Sequence, residues 1–597
     1  MVDLAKKPFY LNEEQIAWVE NTIAGMTEEE KIKQLFIHLT GAVDDEEAVK
    51  EECATMQMGG IRFNPRSKEE MWNMNRLFQT YSKIPVLSAV NVEAGGNGAS
   101  SDGTNVGQEI KVAATGDKEY AYKMGQICGR ETRATGSNWA FAPIVDLTMN
   151  WHNPAISTRA FGKDPDMVLA FAKEYFRGIS ESGIVCAMKH FPGDGVDERD
   201  PHIATSVNSL SCEEWDNTFG KVYRGMIEAG VQSLMPGHIM MPAYQKKFNP
   251  ACRDEDLLPA TLSKELLTDL LRGQLGFNGL IVTDASHMVG LAGRAKRSDL
   301  VPQSIMAGCD MFLFYNDFEE DIGYMTAALH DGRLTAERLH DALRRILGLK
   351  AVVGLNGFTM DKFPSKEGLS VIGCPEHKRV SDEVSDKAIT LVKQVGENIF
   401  PVTGKKRVLI VPVGPKPSPI LAIAGMGADG SKLYNTLQSE LERRGHTVTI
   451  YEDPVEKIMK AMAALSPADR AKMLGKGMGK KGAYGMKNSI EALTGAYDLV
   501  ICVANVSATM RTTQRLEWAI SKGGWDNPWY VNELPVIFVS FNCPFHLADV
   551  SQVKNFVNCY DAQESSIKAF VAKIEGESEF TGVSPVDAFC GMLDTHF

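Results

Sequence analysis

The first candidate for chemistry is a loop that carries an aspartate two residues before a histidine. Two basic residues end the apolar run CAMKHF (186–191), and the polar loop that follows contains Asp200 and His202. Residues i and i+2 of an extended backbone point to the same side, and Pro201 biases Asp200 towards that extended state. The carboxylate of Asp200 could therefore orient the imidazole of His202 and stabilise its cation, which would suit proton transfer. The alternative is a solvated acidic loop with an incidental histidine.

The second candidate is Asp284, which ends the apolar run GLIVTDAS (279–286). A lone aspartate at such a position is often a turn former or a helix cap. An ionised carboxylate fixed there could instead attack an electrophilic carbon and form an ester. That step would divide one difficult substitution into two easier ones.

Eight short apolar runs alternate with amphipathic helical stretches through about the first 350 residues. The runs are QLFIHL (35–40), GGIRFN (59–64), PVLSAVN (85–91), WAFAPIVDL (139–147), CAMKHF (186–191), SLMPGHI (233–239), GLIVTDAS (279–286) and DMFLFY (310–315). Continuous apolar runs are typical of parallel strands that are buried on both faces. The repeated strand–helix alternation predicts a (β/α)8 TIM-type barrel over residues 1–355.

Polar side chains stand at or just past the ends of most of these runs. They are Asn91, Glu93, Asp146, Lys189, His190, His238, Asp284 and Asn316. The carboxyl ends of the strands form the face that carries the active site in such barrels, so we expect these side chains to meet there. Arg159 lies on the loop beyond WAFAPIVDL, where its rigid fork could grip substrate oxygens. Any one of these residues could equally be an ordinary strand-end or surface residue.

The remaining sequence predicts a linker over 356–400 and a three-layer α/β sandwich domain over 401–597. The linker includes a predicted helix in VSDEVSDKAITLVKQ (380–394). Two GxGxxG patterns, Gly425–Gly430 and Gly477–Gly482, resemble a dinucleotide-binding fingerprint. The first is separated from its preceding strand by a proline-rich stretch and the second follows a helix, so we interpret both as loops.

The composition indicates which kinds of binding partner and which cellular compartment to expect. A net charge of −13 argues against nucleic acid and anionic membranes as partners. No apolar run approaches the ~20 residues of a membrane helix, and the N-terminal stretch lacks the apolar core of a secretory signal. Eleven cysteines without a CxxC pattern predict free thiols and a cytoplasmic protein. Without an HExxH motif or a histidine cluster, we expect no metal and no cofactor.

Several segments, taken in order, resemble glycoside hydrolase family 3, and specifically its β-N-acetylhexosaminidase branch. They include KHFPGDG with the following DPH (189–202), NP with TRAFG (153–162), GLIVTDASHM (279–288), MTEEEKIKQLF (26–36) and SIMAGCDMFLF (304–314). The similarity spans most of residues 26–350. The C-terminal region resembles the α/β sandwich that many members append.

The resemblance implies a retaining glycoside hydrolase that cleaves a terminal β-linked sugar, with N-acetylhexosamine as the first expectation. Asp284 matches the nucleophile that forms the covalent glycosyl intermediate. His202 with Asp200 matches the mobile acid/base dyad of this branch. Because Asp284 would bond to the sugar first, two inversions would give net retention. The implied partner is a small carbohydrate or glycoconjugate, and the sequence leaves the oligomeric state open.

The expected substrate-binding residues are Lys189, His190, Arg159, Asn91, Glu93 and His238. Asn91 stands where family members usually have a sugar-binding aspartate, and the usual arginine of that segment is absent. Asp194 and Pro201 replace a usual histidine and serine. These departures keep three alternatives open: a phosphorylase that uses the same dyad, another β-glycosidase, and an inactive sugar-binding homologue.

Overall fold

The structure is a computed structural model that describes residues 2–41, 45–414, 431–452, 466, 469, 490–506, 515–516, 518 and 528–597. These residues form two compact units. The first contains the described residues up to Ala113 together with Asp117–Val384, and the second contains Ala114–Gly116 and the described residues from Ser385 onwards. Both GxGxxG patterns lie outside the described residues, so their interpretation stays a prediction.

Eight parallel strands form the centre of the first unit. The unit's strands are β1 Phe36–Leu39, β2 Gly60–Arg62, β3 Leu87–Val90, β4 Trp139–Ala140, β5 Val185–Phe191, β6 Ser206–Val207, β7 Ser233–Pro236, β8 Ile239–Met240, β9 Leu280–Ile281 and β10 Phe312–Leu313. The large sheet has the order β10–β1–β2–β3–β4–β5–β7–β9, and β6 pairs separately with β8. A parallel bridge between Val282 and Met311 joins the two ends of that order. The sheet therefore closes on itself, and the predicted (β/α)8 barrel is confirmed.

Helices alternate with these strands, and several begin or end at residues that the sequence indicates. They are α1 Glu13–Ala24, α2 Glu28–Lys33, α3 Glu46–Thr55, α4 Lys68–Tyr81, α5 Glu109–Ala114, α6 Glu119–Ala134, α7 Pro165–Ser180, α8 Cys212–Asn217, α9 Phe219–Ala229, α10 Pro242–Phe248, a π-helix Glu265–Gln274, α11 Val289–Ala292, α12 Arg297–Ala307, α13 Phe318–Asp331 and α14 Ala336–Val352. Ser211 and Glu214, a serine followed three residues later by a glutamate, form a capping box at the start of α8. Thr218, whose backbone angles are not helical, separates α8 from α9. The helix α9 ends at Gly230, which has φ 95°.

A close crossing of α6 and α7 places a tyrosine behind the loop that follows β3. A Cβ atom on Gly125 would come within 2.2 Å of the Tyr175 carbonyl, and one on Gly178 would come equally close to the facing helix. Only glycine permits this approach of the two backbones. The hydroxyl of Tyr175 then donates to the carbonyl of Val92 at 2.7 Å. The crossing of α6 and α7 thus supports the backbone of the loop that follows β3.

The second unit contains a six-stranded sheet. Its elements are α15 Pro375–Ala388, which begins in the first unit, β11 Thr390–Gln394, β12 Arg407–Val413, α16 Ser431–Arg443, β13 Thr447–Ile450, α17 Ile490–Ala496, β14 Leu499–Ala504, β15 Val536–Ser540, β16 Asn555–Asn558 and α18 Glu564–Ile574. The sheet order is β11–β16–β15–β14–β12–β13, with β11 antiparallel to β16. The helix that we predicted over 380–394 ends at Ala388, because the next residues pair with β16. The segment predicted as a linker therefore contributes a strand.

Both faces of this second sheet are buried, as a three-layer arrangement requires. Val408 and Ile410 of β12 belong to one apolar cluster, which also contains Leu437 of α16. The alternate residues Leu409 and Val411 belong to a second cluster. Side chains alternate between the faces of a strand, so the two clusters cover opposite faces. The predicted α/β sandwich is confirmed.

Two predictions from composition can be compared with the described residues. All eleven cysteines are free thiols, seven of them buried and four half-buried. No helix in the described ranges combines the length and the apolar character needed to cross a bilayer. The cytoplasmic compartment stays a prediction.

Candidate active site

The backbone around Asp284 is held from both neighbouring strands. The Asp284 amide donates to the Pro236 carbonyl at the end of β7, at 3.3 Å. The amide of Thr283 donates to the Met311 carbonyl beside β10 at 3.0 Å, and the Thr283 hydroxyl accepts from the amide of Leu313 at 2.9 Å. Asp284 therefore lies at the carboxyl end of β9 on a backbone with little freedom to shift.

The surroundings of Asp284 favour its ionised form. Burial alone would raise the pKa of this carboxyl group. The charges of His190 and His238, the Ala285 amide and the charge of Lys189 together outweigh burial, so the pKa of Asp284 lies below its ordinary value. The Ala285 amide donates to Asp284 Oδ1 at 2.7 Å. An ionised carboxylate is the form that a nucleophile needs.

Asp200 and His202 make the contact that their spacing predicts. Nδ1 of His202 lies 2.7 Å from Oδ1 of Asp200, and the His202 amide donates to the same oxygen at 2.9 Å. The Asp200 side chain is fully buried, whereas 38% of the His202 side chain is exposed. With Nδ1–H directed at the carboxylate, Nε2 is the ring atom left for proton exchange.

The pKa of His202 is raised above its ordinary value. The hydrogen bond to Asp200 is the main cause, and it outweighs the opposing effect of burial; the charges of Asp200 and Asp284 act in the same direction as the hydrogen bond. The pKa of Asp200 is lowered, because the His202 ring and amide outweigh the effect of burial. Since the charge of Asp284 acts on His202, the two groups share one electrostatic environment.

Glu93 binds the cationic side chains of both Arg159 and Lys189. Nε and Nη2 of Arg159 donate to Oε2 and Oε1 of Glu93, each at 2.9 Å, and Nζ of Lys189 also donates to Oε1. Burial would raise the pKa of Glu93, but the charges of Arg159 and Lys189 lower it far below its usual range. The three predicted substrate-binding residues therefore meet, and Glu93 fixes the positions of the other two.

His190 is held in the same way by a buried aspartate. Nδ1 of His190 lies 2.7 Å from Oδ2 of Asp146, and the amides of His190 and Asp194 both donate to Asp146 Oδ1. Asp194, next along this loop, accepts from Asn153 Nδ2 at 2.9 Å. Burial and the nearby charge of Asp146 raise the pKa of Asp194 well above its ordinary value.

The other two predicted contact residues lie in contrasting positions. Asn91 directly follows β3, and it is exposed. His238 is fully buried: Nε2 donates to the Ala285 carbonyl at 3.0 Å, and Nδ1 lies 2.9 Å from the Thr261 hydroxyl. Both ring nitrogens thus bind protein groups, which fits a residue that orients the backbone beside Asp284. The sugar contact that we expected for His238 stays a prediction.

Asp146 was expected at this face because it ends the run WAFAPIVDL. Two further acidic residues, Asp194 and Glu109, support the site without a role assigned to them from the sequence. Asp194 lies in the loop after β5. Glu109 has no comparable signal. It is fully buried, one oxygen accepts from the Ile144 amide at 3.0 Å, and Oε2 has no partner among the described residues. Burial raises the pKa of Glu109 well above its ordinary value, which favours a neutral acid.

The assembled groups suit substitution at an acetal carbon. An ionised carboxylate and a histidine with a raised pKa lie at the same face of the barrel, next to an Arg–Glu–Lys cluster that can bind hydroxyl groups. Within the described ranges, no three histidine, cysteine, aspartate or glutamate side chains converge as metal ligands would.

Residues 27–349 match the glycosyl hydrolase family 3 N-terminal domain. A protein from Cellulomonas fimi described as a β-N-acetylglucosaminidase/β-glucosidase is 40% identical over 599 residues, covering all of both chains. A β-hexosaminidase A from Pseudoalteromonas piscicida is 28% identical over 56% of this chain and 58% of its own length.

Solved structures agree with the fold. A structure described as β-glucoside phosphorylase BglX is 35% identical, covers 99% of both chains and superimposes with a TM-score of 0.87. A family 3 β-N-acetylglucosaminidase from Paenibacillus sp. str. FPU-7 is 23% identical, covers 94% of this chain and 99% of its own, and has a TM-score of 0.72. The second likeness concerns the fold alone.

A closed barrel with a carboxylate at the end of β9 and a histidine–aspartate pair on the loop after β5 is compatible with the class of carbohydrate-cleaving enzymes. The chain belongs to glycosyl hydrolase family 3 and is a glycoside hydrolase.

Proposed function

We propose that this enzyme is a retaining β-glycosidase that removes a terminal β-linked N-acetylhexosamine through a covalent intermediate on Asp284. The observation that carries this proposal is the opposite tuning of two neighbouring groups. The pKa of Asp284 is lowered and that of His202 is raised, which favours a carboxylate at one residue and a protonated ring at the other.

The reaction would proceed in two displacements. In the first, Asp284 attacks the anomeric carbon while Nε2–H of His202 gives its proton to the departing glycosidic oxygen. In the second, neutral His202 takes a proton from water, and that water displaces Asp284 from the anomeric carbon. Asp200 stabilises the imidazolium whenever it forms. The sugar is released with its original anomeric configuration, and His202 regains its proton.

The identity of the sugar rests on the relatives rather than on a single contact. The Cellulomonas fimi protein is described as acting on both N-acetylglucosaminides and glucosides. Asn91 is exposed at the end of β3, where its amide could bind either sugar. Aryl β-glycosides that differ only in the C2 or C4 substituent would measure the preference, and the proposal expects the highest kcat/KM for the 2-acetamido compound.

Replacement of Asp284 by asparagine tests the mechanism. Asp284→Asn removes the nucleophile, so we expect kcat for an aryl β-glycoside to fall at least ~10³-fold. Asp299→Asn makes the same chemical change at an exposed position on α12 and should keep full activity. Unchanged turnover in Asp284→Asn would refute the mechanism, and an inactive wild type across the whole glycoside panel would favour the sugar-binding alternative.

Phosphorolysis is a second candidate, favoured by the similarity to BglX over nearly the full length of both chains. Phosphate instead of water would displace Asp284 and give a sugar 1-phosphate. An imidazole repels an approaching phosphate less than a carboxylate base would, so a histidine acid/base is compatible with this acceptor. Turnover with and without inorganic phosphate separates the two reactions: hydrolysis gives free sugar in both, whereas phosphorolysis gives sugar 1-phosphate and depends on phosphate concentration.

A further inference from the structure

A short segment after β9 fastens the loop that carries the dyad. The Val289 amide donates to the His202 carbonyl at 3.2 Å, and the Gly290 amide donates to the Pro201 carbonyl at 3.1 Å. The hydroxyl of Thr205 donates back to the Gly290 carbonyl at 2.8 Å. These bonds place residues 289–290, which follow closely after Asp284 in the chain, against the loop of His202.

This segment and the loop of His202 each present one large apolar side chain to solvent. Ile203 is 47% exposed and Val289 is 53% exposed. Ile203 is the next residue after His202, and Val289 is joined to His202 by a backbone hydrogen bond. Scattered exposed apolar residues are ordinary, but two of them flanking one candidate acid/base residue form a surface where a ligand could gain from burial.

The chemistry of the reaction defines what must lie there. A general acid has to be within about 3 Å of the oxygen that it protonates. The glycosidic oxygen carries the aglycone, so the aglycone begins within that distance of the His202 ring. Its next atoms must therefore extend past the residues that border His202, and Ile203 and Val289 are two of them.

We propose that Ile203 and Val289 form an aglycone-binding surface that selects leaving groups with an extended apolar portion, such as an alkyl chain. This inference rests on the proposed function, because it takes His202 as the residue that protonates the leaving group. Burial of several methylene groups against two aliphatic side chains would raise kcat/KM roughly 10-fold or more. The gain should appear mainly in KM, since the contacts are equal in the ground state and the transition state.

The test compares octyl and methyl β-glycosides of the same sugar, which share the bond to be cleaved. We expect the wild type to prefer the octyl compound and the double variant Ile203→Thr/Val289→Thr to lose most of this preference. Threonine keeps the β-branched shape and replaces a methyl group by a hydroxyl group. Val583→Thr is the matched control: Val583 is 61% exposed in the second unit, and its variant should keep the wild-type ratio.

The outcomes separate the inference from the proposed function. An equal octyl-to-methyl ratio in the wild type and the double variant, with both glycosides hydrolysed, would overturn the inference and leave the function intact. Absence of hydrolysis of every glycoside would overturn the proposed function itself. An unchanged ratio with a wild-type dimer that becomes monomeric in the double variant would assign the surface to contact between copies. The single variants, with melting temperatures, identify any effect that arises from misfolding.

Discussion

The pKa values of His202 and Asp284 shift in opposite directions because each is surrounded differently. The carboxylate of Asp200 acts on His202 through one direct hydrogen bond, whereas His190, His238, Lys189 and one backbone amide all act on Asp284. Loss of a single partner should therefore change the pKa of His202 more than the pKa of Asp284. This difference leads to a prediction about pH dependence.

Asp200→Asn should move the alkaline limb of the kcat/KM profile to lower pH. The folded-state pKa of His202 is raised mainly by its bond to Asp200, and glycosidic cleavage needs the protonated ring. Without that carboxylate the ring loses its proton at lower pH, so activity is lost earlier as the pH rises. Glu198→Gln, an exposed change on the same loop, should leave the limb in place. An alkaline limb that does not move in Asp200→Asn would exclude His202 as its origin.

Asp194→Asn should stabilise the protein at neutral and alkaline pH. The pKa of Asp194 is raised by burial, so the folded state binds more protons than the unfolded state once the pH exceeds about 4. Stability is therefore lost as the pH rises above that value, and asparagine removes this loss. Asp197 provides the contrast, since its pKa is lowered despite partial burial, chiefly by hydrogen bonds from Arg199. Asp197→Asn should lower the melting temperature at pH 7, and a lower melting temperature in both variants would contradict the assignment.

The sequence predicts local contacts at the site better than distant ones. The Asp200–His202 contact is local, because the two residues are only two positions apart. The backbone there turns and is not extended as we expected, since the amides of Ile203 and Ala204 donate to the Asp200 carbonyl. The position of Glu93 between Arg159 and Lys189 does not follow from any spacing, because Glu93 and Arg159 lie on loops after different strands and Lys189 lies within β5. The burial of His238 was equally hidden, since it depends on which way the strand-end backbone turns.

At the scale of elements, Asp310 connects β9 to the segment before β10, where the barrel closes. The Asp310 amide donates to the Ile281 carbonyl at 2.7 Å, and Asp310 Oδ2 accepts from the Ile281 amide at 2.8 Å. Arg272 Nη2 also donates to Oδ2 at 2.8 Å, and Arg338 donates to Oδ1. Asp310 is fully buried, and it links β9 and the segment before β10 to two arginines with mostly buried side chains.

Asp310→Asn should lower the free energy of unfolding by about 3–5 kcal/mol, because it leaves Arg272 without its buried counter-charge and leaves Arg338 with Asp341 alone. Asp331→Asn removes the same charge beside Arg333 at the exposed end of α13, where an ion pair is worth less than about 1 kcal/mol. Denaturant unfolding of both variants measures the difference. Equal unfolding midpoints in the two variants would show that the stability of the barrel closure does not depend on the carboxylate of Asp310.

Elements with local signals were predictable, and those made by distant pairing were not. The capping box at Ser211 and the glycine at position 230 mark the ends of a helical stretch in the sequence itself. Residues 390–394 carry no such signal and continue an amphipathic helical pattern. They become β11 because β16 pairs with them from more than 150 residues further along the chain.

At the scale of the whole molecule, the cysteines report on how tightly both units are packed. Seven of the eleven thiols are buried, and burial raises the pKa of Cys502, for example, to about 12. An aromatic disulfide reagent at pH 8 should therefore react quickly with at most four thiols of the native protein, Cys212, Cys252, Cys374 and Cys590. In guanidinium chloride without reductant all eleven should react. A lower total in the unfolded chain would reveal a disulfide.

The compactness of the dyad has an evolutionary consequence. Asp200 and His202 are encoded by neighbouring codons and orient each other through one contact, whereas Asp284 comes from a strand more than 80 residues later. Under the proposed mechanism, changes confined to one loop could therefore replace the group that transfers the proton and leave Asp284 and its surroundings in place.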